Sequence, residues 1–348
     1  MRAQAPIFAL ALTAAVCLTP ATLQAQTTPA ANSTPWKVPR TADGQPDFAG
    51  VWANNNATPL ERPKELEGRD HLTDAEVETM KRRAAELFDG TGDAAFGDEV
   101  FRTVFESLNG SSTGPHEKGA KDFDADTGDY SSVWTVARDW DNRTSLVTDP
   151  ANGKIPPLTA AARARAAAAG AVFTRPPNGP QDRTLSERCI TYGVPQLLAG
   201  YQSYYRVTQS RDTVVISTEM IHEARVVPLD GSPHLPPAIR QWLGDSRGHW
   251  DGDTLVIDTT NFKPRSFQNA GERLHLIERL TRVGPETLHY EVTIDDPDTW
   301  EKPWTLMIPL RHSPDEVFEY ACHEGNSGMI GILAGARAEE RASARKAK

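Results

Sequence analysis

Cysteine is scarce, 3 in 348 residues and never spaced as Cys-x-x-Cys, so a zinc finger or a thioredoxin-type redox pair has no residues to build it. His-Glu-x-x-His, Gly-x-Gly-x-x-Gly and Gly-x-x-x-x-Gly-Lys-Ser/Thr are missing too, which leaves zincin, Rossmann and P-loop chemistry without support. Positive charge is outweighed: 37 Lys and Arg stand against 47 Asp and Glu, a formal net charge of -10. That is the wrong sign for tracking a phosphate backbone, and no nucleic-acid partner is expected. After Leu18 no apolar stretch approaches the about 20 residues that a spanning helix needs, so no stable membrane anchor is expected either.

What is present is ordinary globular composition, 39% hydrophobic and 24% charged, enough for a sizeable core. Arg2, the apolar stretch Ile7 to Leu18 and the tripeptide Leu23-Gln24-Ala25 read as a secretory signal cut after Ala25. Residues 26–46, rich in Thr, Pro, Ala and Asn, read as a flexible lead-in, with order starting near Asp47. Cleavage removes Cys17. In the oxidising periplasm or outside the cell, Cys189 and Cys322 are then expected to pair, closing a long loop and contributing about 4 to 5 kcal/mol on the chain-entropy view.

Thr73 followed by Glu76 is a capping-box arrangement and predicts a helix over Asp74 to Phe88. Pro156-Pro157-Leu158-Thr159 and the Ala/Arg run after it predict a second helix ending at Gly170, and a third starts near Gly328 and runs into a basic tail at 338–348. Residues 108–131 read as a long loop. From about Tyr204 the texture becomes repeated strands: Tyr205 to Gln209, Thr213 to Ile221, Arg247 to Trp250, Asp253 to Asn261, Leu274 to Arg282, Leu288 to Asp295, Thr305 to Leu310 and Glu316 to Cys322. Asp251-Gly252 marks a hairpin turn among them. The expected fold is mainly β, an antiparallel barrel or strongly curved sheet with a few covering helices. One domain spans 47–337 and carries N-terminal helical and loop insertions.

Strand alternation singles out polar residues on apolar faces. Glu278 falls among Leu274, Leu276 and Leu280, where a carboxylate must either pair with an interior cation or rise in pKa toward acid/base use. His222 falls on the face of Val214, Ile216, Thr218 and Met220. The stretch Gly244 to Trp250 concentrates Asp245, Arg247 and His249. Arg247 is suited to stabilising negative charge, Asp245 to orienting it, and His249 to moving protons. His323 follows Cys322 and shares a face with Val317, Glu319 and Ala321 if that segment is a strand. The alternatives are a core histidine for His222, a surface histidine for His323, a turn cap for Asp245 and a pair with a neighbouring acid for Arg247. The spacing of the histidines fits no metal-ligand pattern, and no metal or other cofactor is expected.

Ile221 to Gly231, Gly244 to Phe262 and Glu319 to Asn326 together resemble a large group of uncharacterised secreted bacterial proteins. The resemblance runs over about Asp47 to Arg337 through Gly-Asp-Ser-Arg-Gly, Trp-x-Gly-Asp-Thr-Leu-Val and Tyr-Ala-Cys-His-Glu-Gly-Asn segments. It implies a secreted, bacterial setting and transfers no activity. Gly50-Val51-Trp52 is similar to the start of lipocalin-type barrels, an analogy of fold alone. The functional expectation is a cofactor-independent acid/base enzyme (lyase, hydratase, isomerase or hydrolase) acting on a small, partly apolar or aromatic organic molecule. Its proton-transfer groups would be His222 and Glu278, helped by Arg247, Asp245, His249 and His323. A carrier using the same cavity without turnover is the alternative.

Overall fold

The computed structural model describes residues 36–88, 97–110 and 137–346. Alternating hydrophobicity gives the strands their two faces. In β9 (Thr287–Asp295) every second residue is buried, from Leu288 through Tyr290 and Val292 to Ile294. The same pattern recurs in β8 (His275–Gly284) and β10 (Trp304–Ser313). With β1 (Gly50–Ala53), β3 (Tyr204–Gln209), β4 (Thr213–Thr218), β5 (Ala224–Pro228), β6 (Asp245–Asp251) and β7 (Thr254–Thr260), they form a sheet ordered β5-β4-β3-β1-β10-β9-β8-β7-β6. Short β2 (Val147–Asp149) pairs with β10 off this path. Every pairing is antiparallel. The expected mainly antiparallel, barrel-like sheet is therefore present and nearly closed.

Closure is by side chains at the β5/β6 seam. Gly248 of β6 admits this approach: a Cβ there would stand 2.7 Å from Leu229 Cδ2 and 2.8 Å from Val227 Cγ1, so any larger residue would push the edges apart. The interior is filled with packed side chains, among them Trp52, Trp304, Ile257, Leu276 and Leu306.

Four helices accompany the sheet among the described residues. The Thr73/Glu76 capping box starts α1 (Asp74–Leu87), which packs on α2 (Asp98–Leu108) through Val77, Met80, Phe101 and Val104. The Ala-rich α3 (Ala160–Phe173) is capped by Thr159 and continues one turn past Gly170. The last, α4 (Ser327–Lys346), absorbs most of the expected basic tail.

Several expectations shift. The strand expected to reach Ile221 stops at Thr218, and β5 was missed because its five residues end on Pro228. The hairpin turn is Gly252-Asp253, one residue later than expected, since Asp251 pairs with Thr254. Residues 316–322 form no strand. Order begins before Asp47, with Val38 buried and Thr41 N bonded to Gln45 O at 2.8 Å. The expected signal segment, Cys17 and most of the expected 108–131 loop lie outside the described residues.

Candidate functional site at the barrel mouth

The sequence-predicted residues separate into three places. Glu278 is fully buried and spoken for. Arg225 Nη2 donates to its Oε1 at 2.7 Å, Arg225 Nη1 donates to its Oε2, Tyr290 Oη donates at 2.6 Å and Thr259 Oγ1 at 3.2 Å. This is the interior Arg pair left open by the sequence, not a free acid. It ties β5 to β7, β8 and β9 across the seam. Desolvation works against the charge on Arg225, but Glu278 holds the guanidinium above its usual value, while burial pushes the Tyr205 and Tyr290 hydroxyls upward. No valence of Glu278 remains for moving a substrate proton.

Asp245 and Arg247 meet as expected, Nη1 to Oδ1 at 2.8 Å, but on the outer face of the sheet. Their histidine is not His249, which is exposed further along β6, but His234. His234 Nδ1 lies 2.8 Å from Asp245 Oδ2 and its Nε2 lies 2.9 Å from Asp258 Oδ1. His275 Nε2 lies 2.9 Å from the other oxygen of Asp258. The chain Arg247-Asp245-His234-Asp258-His275 thus clamps the connector 229–244 onto β6, β7 and β8. Period-two alternation on β7 and β8 placed Asp258 and His275 on one face, a signal that sequence reading left unused.

The hydrogen bond that His275 Nε2 donates to Asp258 raises the pKa of the imidazole and lowers that of the carboxyl. A raised histidine contributes stability below its unfolded value and loses it as pH rises through the folded one. A lowered aspartate contributes above its unfolded value and loses it as pH falls through the folded one. The pair should contribute fully between about pH 4 and 6.5. The melting-temperature gap between wild type and His275→Gln should be widest there and shrink toward pH 9. A gap independent of pH would refute this role.

The third place is the mouth, where the 219–223 turn, the 184–203 loop and the β7–β8 connection meet. His222 is here but not inward: Ile221 (φ 59°) and His222 (φ 44°) turn left-handed, leaving His222 exposed with Nδ1 donating to Tyr320 O at 2.9 Å. A β-branched residue at positive φ is a true outlier, and such strain collects at functional sites. His323 is exposed in the 321–326 turn, without the strand face assumed for it. Cys189 and Cys322 form the expected disulfide, with Cα atoms 5.7 Å apart, and fix this rim.

A cleft of about 660 Å³ opens here, lined by Phe173, Tyr192, Leu197, Phe267, Arg265 and Asn269 among others. Arg265, Gln268 and Asn269 all carry positive φ. Gly193 lets the two loops touch, since a Cβ there would lie 2.5 Å from Ser266 O. Pro195 lines both this cleft and a smaller chamber of about 20 Å³ bounded by Gln196, Tyr205, Thr218, Glu223, Arg225 and Tyr290.

Two carboxyls flank the 219–223 turn, and both were missed as site residues. Glu223 accepts from Tyr192 N at 2.9 Å and from Thr191, yet burial pushes its carboxyl above the usual range. Glu219 is 2% exposed, has an Oε2 with no hydrogen-bond partner, and is likewise pushed up by burial. Gln196 is 3% exposed, and its Nε2 has no partner. A raised acid beside an unused donor is an arrangement for proton transfer.

The chain matches no protein-family model, no curated protein and no solved structure. Among the described residues no group of three or more His, Cys, Asp or Glu is placed to hold a metal ion, and no helix is long and apolar enough to cross a membrane. The run Gly110-Ser111-Ser112-Thr113-Gly114 has Gly-x-Ser-x-Gly order but follows α2 rather than a strand, unlike a nucleophile elbow, and from Ser111 onward lies outside the described residues.

Proposed function

We propose that this is a periplasmic, cofactor-independent acid/base enzyme acting on a small, partly apolar or aromatic organic molecule at the barrel mouth. Glu223 is its proton-transfer group. The observation that carries the reading is that cleft and chamber share Pro195 in their walls, with a burial-raised carboxyl and an unpartnered amide donor lining the chamber. Phe173 and Tyr192 supply an aromatic wall, and the disulfide keeps the rim in place in an oxidising compartment. Arg247, Asp245, His249 and His323 fall outside this site, and Glu278 serves it only by holding Arg225.

The test is a screen of small esters, enolisable ketones and unsaturated acids in D2O, reading hydrolysis, hydration or deuterium uptake by NMR. Glu223→Gln should lower turnover by about 10²- to 10⁴-fold, the span of general acid/base catalysis. Turnover undiminished in that variant would refute the assignment. Binding without turnover in wild type would make the protein a carrier.

A further inference from the structure

The donor census of the inner chamber narrows the substrate class. Tyr205 Oη donates to Gln196 O at 3.1 Å, Tyr290 Oη donates to Glu278, and Thr218 Oγ1 donates to Met220 O at 3.3 Å. Both Nη groups of Arg225 are engaged by Glu278. The Nε2 of Gln196 is a buried side-chain donor in this wall without a partner, and an orphaned buried donor is unusual in a folded protein. A space of about 20 Å³ accepts an oxygen-sized group and little more.

We infer that the chamber receives the carbonyl oxygen of a neutral ketone, aldehyde or ester, bound by Gln196 Nε2, while the apolar or aromatic body of the molecule lies in the cleft against Phe173, Tyr192 and Leu197. This rests on the proposed acid/base site and names the substrate class for it. A carboxylate would enter beside Glu223 and find the lining Arg225 already engaged by Glu278, with no free countercharge to receive it. An ammonium group brings donors where an acceptor is needed. A hydroxyl brings one proton that requires an acceptor of its own, whereas a carbonyl brings none.

Acetophenone, 1-phenylethanol and ethylbenzene share one carbon skeleton and differ in the group offered to Gln196. Their affinities for the full disulfide-bonded protein can be ranked by saturation-transfer NMR titration, with no need for turnover. Acetophenone should bind about tenfold more tightly than either analogue, equivalent to about 1.4 kcal/mol. Gln196→Leu should bring the three to parity. Should that variant fail to fold, Gln196→Met keeps the length of the side chain, carries no donor, and should also remove the preference. Equal affinities in wild type, no binding of any of the three, an alcohol as tight as the ketone, or a preference that survives both variants would each overturn the inference. A carbonyl preference without turnover on any substrate sinks the enzyme reading alone. Turnover that depends on Glu223 without a carbonyl preference sinks this inference alone.

Discussion

Glu278→Ala is expected to destabilise the protein by about 3 to 5 kcal/mol, because it strands Arg225 as an uncompensated buried charge. Arg225 is 7% exposed and Glu278 0%, so water cannot replace the lost partner. Tyr290 and Thr259 would lose their acceptor at the same time. The pair itself need not be strongly stabilising, since desolvating two charges offsets much of their attraction. The triple variant Arg225→Met, Glu278→Leu, Tyr290→Phe should therefore recover most of the loss, leaving only imperfect packing and Thr259 to satisfy. Urea unfolding of the single and triple variants separates these outcomes. If Glu278→Ala melted like wild type yet lost activity, Glu278 would be catalytic after all and the mouth would not be the site.

Alternation made this cluster half legible. Four residues, Leu274, Leu276, Glu278 and Leu280, are enough to place a carboxylate inside, and the pleat obeys that rule along β8 as far as Leu280. Its partner was hidden because Arg225 lies 53 residues away on an edge strand too short to announce itself. His222 failed for the opposite reason. Alternation was carried past Thr218 into a left-handed turn, where period two no longer applies. The same turn brought Glu219 and Glu223 to the mouth, and neither shows its burial in local sequence, because loops from 191–196 and 318–320 provide it. Asp245 and Arg247 stand out in the sequence as a dense polar stretch between two glycines, but the histidine between the aspartates comes from a connector with no periodicity to read.

Removing the Cys189–Cys322 bond is the other change with a large expected effect. The bond closes 133 residues, for which chain entropy alone gives about 4 to 5 kcal/mol. Spread over a domain of this size, that loss should lower the melting temperature on the order of 10 °C. Other ties of the segment leading into α4 include the exposed Arg206–Glu316 pair, the backbone bond of Phe318 to Glu219, the His222–Tyr320 bond and Asn326 Nδ2 donating to Glu187 O at 2.8 Å. Exposed pairs of this kind contribute little, and of α4 only Ala336 is buried. Cys322→Ser should therefore also speed tryptic cleavage after Arg337, whose guanidinium donates to Asn178 O and Pro177 O until the segment lifts. Thr184, Ser186 and Thr191 line the cleft on the loop that carries Cys189, so loosening that loop should weaken ligand binding without touching any residue in the chamber. Faster cleavage with an unchanged melting temperature would mean that the C-terminal segment detaches on its own and the barrel does not depend on it. Unchanged cleavage and melting together would show that packing, not the disulfide, holds the rim of the mouth.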